Sequence, residues 1–246
     1  RRKPCTWRGI LPRRSASAVR PRPWPRCTGN YAIRFAPCFC ARLALARKNT
    51  STACAAVREM RDLITKKQDY FLLHTAEVCA ARLSGLLRRP DEIPAWVHEG
   101  RGERMYAFAQ GDFRLAQGRA LLLAGDAAAV LGLFHALLQT PLFDKHRLFF
   151  IYAHIFLAAA HAMLDAREKA LESLRAALDA ALPDDVLMPF VENADLVLPL
   201  LPAPQETRHE DGVRRILALA EPWLRHLGLP GTRASEIPFG LSVKQY

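Results

Sequence analysis

The sequence predicts an all-α fold: a right-handed superhelical array of stacked, TPR-like helical hairpins with a period of about 40 residues. Three observations predict it. Ala and Leu dominate a chain that is 50% hydrophobic, and β-branched residues rarely alternate. Two stretches match at one constant shift: Val130, Leu131, Phe134, Leu137 and Leu138 fall on Ala170, Leu171, Leu174, Ala177 and Leu178. Both sets follow the i, i+1, i+4, i+7, i+8 spacing of one helix face. Breaks with helix-stop and helix-start chemistry recur at nearly the same interval, at Lys48-Asn49, Arg89-Pro90-Asp91, Gly125-Asp126 and Asp165-Ala166. A hairpin that cannot bury both of its faces alone does so by stacking on neighbours.

Residues 1–40 are read as a basic, Pro/Cys-rich, non-globular terminus. They carry ten Lys/Arg, no Asp or Glu, six of the 17 prolines and four of the six cysteines. The other residues hold 25 basic and 24 acidic side chains, a net charge of +1, so ten of the eleven positive charges in the net +11 belong to this stretch. A basic arm for nucleic acid or anionic lipid is one reading of it. The preferred expectation is a terminus extraneous to the fold, out of frame with it. The chain does not begin with Met and is expected to be a piece of a longer one.

Four hairpins are expected over about 34–64, 69–98, 104–139 and 146–182, within a helical-repeat domain spanning 41–201. Asn49 or Ser51 caps the second helix of the first hairpin. Asp91 caps the corresponding helix of the next, whose early Pro94 the first turn tolerates. Gly125 supplies a left-handed closing residue and Asp126 the next N-cap. Asp165-Ala-Arg-Glu168 has capping-box spacing. Leu148–Leu164 is almost continuously apolar but contains His154 and His161; its place in the repeat makes it a packed helix, not a membrane span. Residues 184–201 are read as a packed terminal segment and 202–240 as a linker carrying one amphipathic helix at 211–228.

Catalytic and metal chemistry find no support. Cys38-Phe-Cys40 lacks zinc-knuckle spacing, and six cysteines are too sparse for a disulfide scaffold, so a reducing cytoplasm is expected. His154 and His161 lie about 10.5 Å apart along a helix, too far to share a metal. Ser84-Gly85 is a packing site, Asp184-Asp185 a helix-stop loop. No apolar stretch of about 7–15 residues follows the first basic residues, so a secretory signal is not expected in them. No cofactor and no enzymatic activity are expected. The candidate binding groove is the face of the first helices, where the shift equates Arg114 with His154 and places Arg119 and Tyr152 nearby. These four are expected to meet an anionic ligand or a partner segment.

The succession resembles the large MalT-like regulators of the LuxR family. ALLLAGDAAAVLGLF (120–134) is similar to that family's hairpin turn, REKALESLRAALDAALPDD (167–185) to its last repeat, and Met188-Pro189-Phe190-Val191-Glu192 to the stretch that follows. Leu241-Ser242 sits where the family's helix-turn-helix begins, although Lys244 and Gln245 stand where Arg and Glu are typical; residues 241–246 are read as its truncated start. No G-x-x-x-x-G-K-[ST] loop occurs in the 246 residues, so the family's ATPase is not expected in this chain. The resemblance implies a sensing region that binds a small-molecule inducer or regulatory protein, meets DNA only through the attached module, needs no membrane, and leaves self-association open. A TPR-like protein-interaction scaffold without transcriptional role is the alternative.

Overall fold

A computed structural model of the chain describes residues 36–69, 72–103, 105–106, 109–201 and 207–228. The fold is all-α, and no strand occurs among the described residues. Residues 1–35, most of the basic terminus, lie outside the described residues, as do 202–206 and 229–246 with the expected start of the helix-turn-helix.

Among the described residues three helix pairs are long. They are α1 (Ala36–Ala46) with α2 (Thr50–Lys66), α5 (Gln110–Leu123) with α6 (Ala127–Leu138), and α8 (Arg147–Met163) with α9 (Arg167–Ala181). Between them, α3 (Leu73–Leu86) is followed only by a 3-10 turn at Pro90–Glu92 and the short α4 (Ala95–His98). A short α7 (Pro141–Lys145) precedes α8. Helix α1 reaches back to Ala36, into the stretch assigned to the non-globular terminus; Pro37 falls in the first turn, where a missing N–H costs nothing.

One backbone device makes the recurrent break. Lys48, Arg88, Gly125 and Asp165 all have positive φ, at 60°, 56°, 81° and 56°. In each case the next residue's N–H bonds the carbonyl five residues back: Asn49 to Ala44, Arg89 to Ser84, Asp126 to Leu121 and Ala166 to His161, at 2.8–3.0 Å. This is the Schellman closure, which satisfies carbonyls orphaned at a helix end. Asn49 caps α2 by accepting from the Thr52 N–H, and Asp126 caps α6 by accepting from the Ala129 N–H, both at 3.0 Å.

Two expected caps are corrected. Asp165 is the left-handed residue itself, so Ala166 occupies the N-cap of α9 and no capping box forms with the exposed Glu168. Asp91 lies inside the 3-10 turn, and Pro94 takes the N-cap of α4. The extra proline there breaks what the period offers as a full helix.

First helices pack on first helices in the order α1, α3, α5, α8, and α3 and α8 also pack on α2 and α6 respectively. Helix α8 is the centre, with Ile151–Ala153 and Ile155–His161 buried. Among the described residues no helix is long and apolar enough to cross a membrane. After α9 come a left-handed Asp185, α10 (Met188–Glu192), α11 (Ala194–Val197) and α12 (Glu210–His226).

Helix α12 is not a free linker element. Val213 and Ile216 enter the core around α5, α6, α8 and α9. Ala220, Trp223 and Leu224 join Val191 and Ala194 against Ala41, Leu45, Ala53 and Val57 of the first hairpin. Polar contacts hold its ends: His209 and Arg208 meet Asp179, and His226 Nε2 lies 2.9 Å from Thr50 Oγ1. The two ends of the described chain therefore pack on each other.

Candidate functional site

The shared face of the first helices carries charge at matched repeat positions. Arg42 on α1 and Arg82 on α3 stand one repeat period apart, and the same step leads from Asp112 on α5 to Tyr152 on α8 to Glu192 at the end of α10. These five side chains form one network. Arg42 Nη2 donates to Glu192 Oε1 at 2.9 Å, to Oε2 at 3.0 Å and to the Tyr152 hydroxyl at 2.9 Å. The Tyr152 hydroxyl in turn donates to Glu192 Oε2. Arg82 pairs with Asp112 and lies 5.3 Å from the centre of the Tyr152 ring.

Burial first, then the neighbouring Glu192 carboxylate, pushes the Tyr152 phenol well above its ordinary range, so it stays protonated and donates. Burial opposes the charge of Arg42, but the Glu192 carboxylate outweighs it and raises the guanidinium's pKa. Arg82 behaves alike, with Asp112 outweighing burial and the repulsion of Arg42. Two cations and two carboxylates are thus matched around one neutral hydroxyl.

A second cluster lies alongside. Arg119, 3% exposed, donates from Nε to the Gly85 carbonyl at 3.1 Å and from Nη2 to Asp195 Oδ2 at 2.7 Å. Arg88 Nη1 donates to the same oxygen at 2.9 Å. Gly85 makes the bed for this arginine: a Cβ there would lie 2.8 Å from Arg119 Cγ. The expected packing role of Ser84-Gly85 is this one, with Ser84 Oγ also donating to Glu92 at 3.0 Å.

The structure divides the four expected groove residues. Arg119 and Tyr152 lie on the shared face and are occupied by the chain's own Asp195 and Glu192. Arg114 and His154 do occupy equivalent places, but each faces the second element of the preceding hairpin. Arg114 contacts Gln117 at 2.9 Å and the Gly100 carbonyl, over the Phe113 ring. His154 packs against Phe150 with the rings tilted and their centroids 4.3 Å apart, near His135 of α6, and its Nδ1 is buried without a hydrogen-bond partner. Burial, then His135, lowers the His154 pKa, and the same two causes lower that of His161.

Arg42, Arg82, Asp112, Glu192 and Asp195 are absent from the sequence-based site. The repeat step already contains the signal for the first four, since it relates Arg42 to Arg82 and Asp112 through Tyr152 to Glu192. Matching apolar positions alone does not expose it. Among the described residues no group of three or more His, Cys, Asp or Glu side chains is placed to hold a metal. What the arrangement does chemically is bind carboxylates: it clamps α10 and α11 onto the first helices. Comparison with protein-family models, curated proteins and solved structures returns no match.

Proposed function

We propose that this chain is the signal-sensing region of a bacterial, cytoplasmic transcription regulator of the MalT-like LuxR type. In this reading it is a right-handed TPR-like superhelix with no catalytic role of its own. It binds a small-molecule inducer or a regulatory protein and controls an attached DNA-binding module. One observation carries the reading: first helices stack in the order α1, α3, α5, α8, with a left-handed closure opening the second element at Lys48, Arg88, Gly125 and Asp165, and the same closure also ending elements at Gln68, Gly100 and Asp185. Such recurrence is what an array of stacked hairpins requires. The order after the last hairpin, a Pro-Phe-aliphatic-acidic segment and then an amphipathic helix, supports the regulator over a plain scaffold.

The test is to read the gene on both sides of these residues and then assay the whole product. A four-helix module beyond Tyr246, giving sequence-specific operator binding whose strength changes on inducer or partner binding, is the expected result. A stop codon or unrelated domain there, with partner capture and no effect on transcription, overturns the regulator reading in favour of the scaffold.

A further inference from the structure

The Asp195 cluster is not charge-balanced. Arg88 and Arg119 both donate to one oxygen, Asp195 Oδ2, which leaves a surplus positive charge. Glu92, the nearby carboxylate, is already taken by Ser84 and Arg89. Arg119 Nη1 is buried and has no hydrogen-bond partner, although Arg119 itself is held in a bed built by Gly85. A buried guanidinium with an idle N–H beside a second guanidinium is a place where an acceptor is missing.

We propose that Arg119 Nη1 and Arg88 form a site for a small oxyanion group, a phosphate or carboxylate, bound beside Asp195. The planar guanidinium fork matches paired oxygens better than a spherical ion. Arg88 is 41% exposed and flanks the cluster on the solvent side, whereas the Arg119 side chain is only 4% exposed. The ligand group is therefore small and enters along Arg88. Bound there, it neutralises the surplus charge and tightens α11 onto α3 and α5. The site rests on the sensing reading for its purpose: its ligand favours the closed arrangement of the first helices with the 188–197 segment.

The experiment uses the full 246-residue chain and inorganic phosphate as probe. The phosphorus resonance of phosphate is followed against protein concentration, and the thermal midpoint is measured in phosphate, acetate and chloride at matched ionic strength. The wild type is expected to broaden the resonance saturably and to melt higher in phosphate than in chloride. Arg88→Gln removes the surplus charge together with one of the two bonds to Asp195, so melting falls by the same amount in every salt; beyond that common shift it should weaken phosphate binding at least tenfold and abolish the phosphate–chloride difference. Acetate that displaces phosphate extends the site to carboxylates; acetate that does not confines it to phosphate. No saturable broadening in the wild type overturns the proposal. So does equal broadening in Arg88→Gln, as adsorption on the basic residues of 1–40 would give, or equal stabilisation by chloride, which is screening. Intact phosphate binding in a protein with no regulatory output would instead sink the sensor reading alone.

Discussion

Tyr152 joins two opposite charges through one oxygen, accepting from Arg42 and donating to Glu192. It is 1% exposed, so water cannot replace the hydroxyl if it is removed. Tyr152→Phe keeps the ring under Arg82 and deletes only these two bonds to charged groups. The expected loss is about 1–3 kcal/mol, read as a lower urea midpoint at unchanged slope; a midpoint equal to wild type would mean that the Arg42–Glu192 pair alone holds the junction. The histidines give a pH dependence of known sign. His154 and His161 have pKa values lowered by burial and by His135, below the ordinary 6.5. The unfolded chain takes up these protons as pH drops through 6.5 while the folded chain resists them. Stability is therefore full above that pH and falls as pH descends toward the folded-state values. Urea unfolding at pH 7.5 and 5.5, where carboxylates barely titrate, should show the fall. His154→Gln with His161→Gln should flatten it, and an unchanged slope would assign the pH effect elsewhere.

The turns set the hairpins, and they allow one repeat position to be compared within one protein. Gly125 and Asp165 do the same job at φ 81° and 56°. Only glycine holds such an angle without a Cβ penalty of about 1–2 kcal/mol. Gly125→Ala is thus expected to destabilise by about that amount. Nothing lies within 4 Å of the added Cβ, so the whole loss is backbone strain. Asp165→Gly should be neutral or stabilising by under about 1 kcal/mol, because glycine also gains entropy in the unfolded chain. Opposite signs in thermal melts of the two variants would establish the equivalence, and equal signs would break it. Packing glycines behave differently: Gly118 is where the Phe134 ring of α6 and the Phe156 ring of α8 converge on α5, so Gly118→Ala must move an aromatic side chain and should cost about 1–3 kcal/mol.

At the scale of the whole molecule, what was legible from sequence was local. Apolar periodicity at Val130–Leu138 and Ala170–Leu178 marks α6 and α9 because side chains three and four apart share a face. Gly125 marks its turn because glycine takes a positive φ without strain, whereas Lys48 and Arg88 take the same conformation with no signal in their residue type. The left-handed role of Asp165 was hidden, since Asp before a helix also suits an N-cap. Of the candidate site, the repeat places Arg119 and Tyr152 on the shared face, but not that the chain's own Asp195 and Glu192 are their partners. A repeat shift makes positions equivalent without saying which side of the helix they face, so Arg114 and His154 were grouped with them. Closure of the chain was not legible at all. Arg42 with Glu192 and Thr50 with His226 are 150 and 176 residues apart, and charged residues in isolation read as solvated. That closure has a direct consequence. Trp223, 3% exposed, packs with Val191 and Ala194 and with α1 and α2, almost the full described length away in sequence. Trp223→Ala leaves a large cavity there and should cost about 3–5 kcal/mol. It should also raise amide hydrogen exchange in α1 and α2 while the α8–α9 pair, in the other core, stays protected. Trp223→Phe keeps most of the packing and removes a buried indole N–H that has no partner, so it should lose much less. Exchange that rises only in α10–α12, with α1 and α2 unchanged, would show that the terminal helix does not hold the first hairpin in place.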